Sequence, residues 1–78
     1  MSLAQAEKDA KTRLQEWLQA KGLDLPNYDV QSVQGESHDQ EFTIELNLPV
    51  LENRIVATGP SRRMAEQDAA QQALALLG

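Results

Sequence analysis

The sequence predicts an α+β fold of order α-β-β-β-α, a three-stranded antiparallel sheet with two helices packed on one face. Three observations lead there. Apolar residues recur at helical spacing near both ends of the chain, at Leu14, Trp17 and Leu18 and again at Ala65, Ala69, Ala73 and Leu77. Residues 41–48 alternate, with Phe42, Ile44, Leu46 and Leu48 set against Glu41, Thr43, Glu45 and Asn47. That is the pattern of a sheet buried on one face and wet on the other. The strand segments between the helices are joined by links too short for a parallel crossover.

The first helix is expected over 9–21, with Asp9 as N-cap and Gly22 where helices commonly stop. Its outward face carries Thr12, Gln15, Glu16 and Gln19. Residues 23–27 form a connector, and Pro26 favours an extended exit. A first strand follows over 28–34. Tyr28 and Val30 alternate there but Val33 breaks the period, which predicts a bulge or a twist. Residues 35–40 are polar and open with glycine, and so read as a turn. Residues 41–48 make the second strand, Pro49 to Asn53 a turn, and 54–59 a third strand stopped by Gly59-Pro60. Ser61 caps a helix running to about Leu77, whose stripe is widened by Ala70 and Leu74. A helix with alanine on its buried face can lie close to a sheet. No internal repeat or low-complexity segment is present. Residues 1–7, beginning Met1-Ser2-Leu3, read as an N-terminal extension or cloning remnant, and 8–78 as the domain.

Composition narrows the function. A chain of 78 residues has room for one modest core. Without cysteine there is no disulfide, thiolate metal site or cysteine nucleophile, and a reducing, cytoplasmic compartment is expected. No apolar run approaches ~20 residues, so no membrane span is expected. The first residues do not resemble a signal peptide. The formal net charge of −5 argues by itself against a polyanion partner. Placement counters the total, because Arg62 and Arg63 are adjacent at a helix start. Free backbone N–H groups already attract anions there. Two cations at that end oppose the helix dipole, a local misfit that a phosphate partner would resolve.

The last third of the chain is the most specific: Ala57-Thr58-Gly59-Pro60-Ser61-Arg62-Arg63-Met64-Ala65, then Ala69-Ala70 and Ala73-Leu74. With Tyr28 opening the first strand and Gly35-Glu36-Ser37-His38 ahead of Phe42, it resembles the double-stranded-RNA-binding domain. Lys11-Thr12-Arg13-Leu14-Gln15-Glu16 and Gln40-Glu41-Phe42-Thr43-Ile44 are similar to the version at the C-terminal end of bacterial ribonuclease III. The resemblance covers about residues 8–77.

It implies a function of reading duplex shape. An A-form duplex buries its base edges in a narrow major groove and displays 2′-hydroxyls in a wide minor groove, so contact spans two minor grooves over about 16 base pairs. On chemistry alone the stripe of Thr12, Gln15, Glu16 and Gln19 reads as a plain solvated helix face; the resemblance reverses that and places these residues in the first minor groove. It places Gly35, Glu36 and His38 in the second minor groove, and Ser61, Arg62 and Arg63 on the phosphates between. His38 has no cluster of partner ligands, so it is not read as a metal site. Several positions depart from the family pattern. Glu36 stands for a proline, Ala57 for a glycine, Met64 for a lysine found in some relatives, and Asp39 and Glu41 for lysines of more basic relatives. Weak, salt-dependent binding by the isolated domain is therefore expected.

No catalytic residue, metal or cofactor is expected in this chain. The resemblance assigns Mg²⁺ to a separate catalytic domain of ribonuclease III, a homodimer that cleaves double-stranded RNA. The isolated domain is expected to be a monomer that binds double-stranded RNA and no membrane. The competing expectation is a protein-interaction or dimerisation module without RNA binding. Alanine at positions 62 and 63 is expected to weaken binding and leave the melting temperature unchanged or slightly raised.

Overall fold

The computed structural model of the chain describes residues 9–48, 50 and 54–77. Their order is α1 (Ala10–Ala20), β1 (Asn27–Glu36), β2 (Asp39–Asn47), β3 (Ile55–Gly59) and α2 (Arg62–Leu77). The strands form an antiparallel sheet in the order β1-β2-β3. Fold class and element order are those expected. Residues 1–7 and most of the turn expected over Pro49 to Asn53 lie outside the described residues.

Both ends of α1 are closed by local chemistry. Asp9 is extended, and its carboxylate accepts the Thr12 N–H at 2.8 Å. At the other end Gly22 takes a φ of 71° and its N–H reaches the Gln19 carbonyl at 3.0 Å. The Leu23 N–H reaches the Leu18 carbonyl at 2.8 Å, completing a Schellman stop. α2 starts on Ser61, whose Oγ accepts the Met64 N–H at 3.2 Å.

The bulge expected from Val33 is present. The β1–β2 register passes from Val30 opposite Ile44 to Ser32 opposite Thr43, leaving Gln31 as the extra residue. The expected turn over 35–40 is shorter than the sequence suggested. Glu36 pairs with Asp39 and Gly35 with Gln40, so only Ser37 and His38 turn. The tip of this hairpin runs past the core. Both its faces are wet, and it carries no alternation by which a strand could be recognised. Val30 and Val33 lie on the edge strand and stay 38% and 44% exposed.

The core sits between the sheet and the two helices. Leu14, Leu18, Ile44 and Leu46 are its largest fully buried side chains. Ala65, Ala69, Ala70 and Ala73 line the buried face of α2, which packs mainly on β3 and β2 and against α1. Trp17, Tyr28, Leu74 and Leu77 close the margins. Among the described residues no helix is long and apolar enough to cross a membrane.

Candidate nucleic-acid interface

The two helices start side by side, and Glu66 and Gln67 of α2 join them. Gln67 Oε1 accepts the N–H of Ala10 at 2.9 Å and of Lys11 at 3.3 Å. It thereby satisfies donors that the first turn of α1 cannot pair within its own helix. Glu66 is buried and takes one cation on each oxygen, Lys11 Nζ on Oε1 and Arg62 Nε on Oε2, the latter at 2.8 Å. Burial pushes its pKa up, but the hydrogen bonds and charges of Lys11 and Arg62 outweigh that and hold the carboxyl below its usual range. The Asp9 carboxyl is likewise held low, first by the Thr12 N–H and also by the nearby charge of Arg63.

Around this junction lies an open groove of about 550 Å³, lined by Asp9, Lys11, Thr12, Gln15, Arg62, Arg63, Glu66 and Gln67. It brings together two of the three expected contact regions, the polar stripe of α1 and the arginine pair of α2. Thr12, Gln15, Glu16 and Gln19 are all exposed on one face of α1, although Glu16 and Gln19 do not line the groove. Ser61 is committed to capping through its oxygen, which leaves its hydroxyl hydrogen to donate. Gly35, Glu36 and His38 are exposed and lie apart from the groove, at the hairpin tip. The tip is nonetheless at the same end of the sheet. β3 finishes at Gly59, opposite Phe42, and α2 begins three residues on, while β2 continues three residues past Phe42 to Asp39. At the usual strand rise the tip stands roughly 10 Å beyond the end of β3.

The arginine pair differs from expectation in one respect. Arg62 is not opposed by a bare helix terminus, because Glu66 one turn on balances it. The misfit with the dipole therefore belongs to Arg63, which makes no ion pair among the described residues. Glu66 and Gln67 were not recognised from sequence. One signal was available: 66, 69, 70 and 73 share a face of α2, so an acid at 66 had to be buried beside a cation.

Tyr28 completes the junction. Lys11 Nζ lies 5.0 Å from its ring centroid, and its buried hydroxyl has no hydrogen-bond partner among the described residues. Burial, then the charges of Glu66 and Asp9, push its pKa up from 10.0 to about 12. The folded protein thus keeps this proton where the unfolded chain has lost it. The resulting stability is intact below pH 10 and is lost as pH rises toward 12. Tyr28→Phe should melt at or above the parent at neutral pH, since an unpaired buried hydroxyl is removed. Its advantage should widen above pH 10. A constant difference across that range counts against the shift. Tyr28 is the only tyrosine, so tyrosinate absorbance reads its titration directly.

The chain matches the Double-stranded RNA binding motif over residues 10–77. It belongs to that family. Along its whole length it is 53% identical to ribonuclease 3 of Hahella chejuensis, of which it covers 34%. It is 51% identical over its whole length to ribonuclease 3 of Buchnera aphidicola subsp. Acyrthosiphon pisum, again covering 34%. The chain thus spans about a third of the length of these relatives. Among solved structures it is similar to Arabidopsis HYL1, described for its implications in miRNA processing. That match has a TM-score of 0.74 and 36% identity and covers 87% of this chain and 94% of the other. The first double-stranded-RNA-binding domain of HYL1 gives a TM-score of 0.68 at 36% identity, covering 86% of this chain and 93% of that one.

Proposed function

We propose that this chain binds double-stranded RNA by shape, as the substrate-binding domain of a cytoplasmic ribonuclease III that processes structured RNA. The observation that carries the reading is the groove in which Thr12 and Gln15 of α1 meet Arg62 and Arg63 of α2. Hydroxyl and amide groups that both donate and accept stand beside forked cations on one surface. Thr12, Gln15, Glu16 and Gln19 meet 2′-hydroxyls in one minor groove. Ser61, Arg62 and Arg63 hold the phosphates of the intervening major groove, and Gly35, Glu36 and His38 at the tip enter the next minor groove. Cleavage belongs to the remainder of a homodimeric parent, whose carboxylates bind Mg²⁺. The domain alone is a monomer that contributes no catalytic group or cofactor. Pairing two such domains in the parent offsets the weak affinity expected of each.

A gel shift of the domain with duplex RNA at two salt concentrations tests the reading. Binding should appear at low salt and fade at high salt, because counterions released from phosphate drive it. Absence of any salt-sensitive shift would favour the interaction-module role, to which the net charge of −5 lends weight. Gln15→Ala should erode the preference for RNA over DNA by about tenfold, the worth of one or two hydrogen bonds to a 2′-hydroxyl. An unchanged RNA-to-DNA ratio removes the hydroxyl argument.

A further inference from the structure

Glu66 is out of place by charge. It occupies a buried position on a face otherwise lined by alanine, in the wall of the groove proposed to bind phosphate. A carboxylate there repels the ligand, and electrostatics alone would favour its removal. Geometry points the other way. Its two oxygens hold one cation from each helix, and its neighbour Gln67 caps the first turn of α1. Two consecutive residues of α2 therefore fix where α1 begins. Arg62 has five N–H donors in a rigid fork. With its Nε–H on Glu66, the remaining four stay available toward solvent, and its side chain is 60% exposed. An arginine already pinned on one edge loses less rotamer freedom when a phosphate arrives.

We propose that Glu66 is a positioning residue for duplex binding, presetting the Arg62 guanidinium and the start of α1 on one surface. The assignment rests on the duplex-binding reading above. It makes a prediction opposite in sign to simple charge repulsion. Glu66→Gln keeps the shape and one acceptor while deleting a negative charge beside the interface. Repulsion alone predicts tighter binding. Positioning predicts binding about fivefold weaker, the size of an ordinary coupling between contacting groups. Asp68→Asn, on the exposed side of the same helix, controls for charge and should bind like the parent or slightly tighter.

Duplex affinities of the parent, Glu66→Gln and Asp68→Asn measured side by side decide the matter. A parent that binds, with a Glu66→Gln variant that binds as well or better, overturns the assignment and leaves the duplex reading intact. A parent that fails to bind overturns both. A second measurement needs no variant, and so survives any failure of Glu66→Gln to fold. In the nitrogen-15-labelled parent, the Arg62 Nε–H should exchange slowly with water and show contacts to Glu66, and that of Arg63 should not. Equal, fast exchange at the two arginines would equally refute the presetting of Arg62.

Discussion

Replacing Arg62 and Arg63 together by alanine is expected to lower duplex affinity about a hundredfold and to flatten its salt dependence. Each arginine offers charge-assisted hydrogen bonds worth about 1.5 kcal/mol or more, roughly a factor of ten apiece. Each lost phosphate contact should also remove about one unit from the slope of log affinity against log salt. The single variants separate two roles. Arg63 carries no ion pair among the described residues, so Arg63→Ala should weaken binding and leave the melting temperature unchanged or slightly raised, as a cation leaves the positive end of α2. Arg62→Ala strips the buried Glu66 of one partner. It should lower the melting temperature as well, because half of a buried carboxylate's compensation disappears. The sequence alone suggested no loss of stability for either change; the contact between Arg62 and Glu66 restricts that expectation to Arg63. Titrations at three or more salt concentrations, with thermal melts, check both parts. An affinity or slope in the double variant equal to the parent's would remove the phosphate role.

That correction marks the boundary of what the sequence displays. Local signals were legible because their cause is local. Asp9 and Ser61 cap their own helices within three residues, Gly22 ends α1 within its own turn, and the alternation of 41–48 maps onto burial of Ile44, Leu46 and Leu48. The polar stripe of α1 was legible for the same reason, being fixed by helical period alone. The junction of the two helices was not. The hydrogen bond from Ala10 to Gln67 joins residues 57 positions apart, and the ion pair of Lys11 with Glu66 joins residues 55 apart. Nothing in either segment names its partner. The hairpin tip was misjudged for a different reason. Its residues pair through backbone atoms, and the side chains record only that both faces are in water.

The tip also yields the sharpest expectation for stability. Gly35→Ala should cost about 3 kcal/mol or more, a large share of what holds a domain of this size together. Gly35 has a φ of 94°, and a Cβ built on it would lie 2.2 Å from the Asp39 carbonyl oxygen. The obstruction is backbone of the facing strand, so no side chain can swing aside. Among the described residues positive φ occurs only at Gly22 and Gly35, so Ser37 and His38 do not form the mirror-image turns that usually close two-residue hairpins. The twist falls on Gly35 instead. Gly22→Ala separates conformational strain from collision, since Gly22 has a φ of 71° but nothing within 4 Å of the added carbon. It should cost only about 1 kcal/mol. Burial of Ile44 and Leu46 holds the register farther along β2, so the damage from Gly35→Ala should stay at the tip. The binding signature then differs from that of the arginines. If the proposed docking holds, displacing Glu36 and His38 should weaken duplex binding while the salt slope, assigned by that proposal to Arg62 and Arg63, is retained. Melting curves of the two glycine variants that coincide would defeat the collision argument. A salt slope that collapses in Gly35→Ala would mean that the tip, and not α2, carries the phosphate contacts.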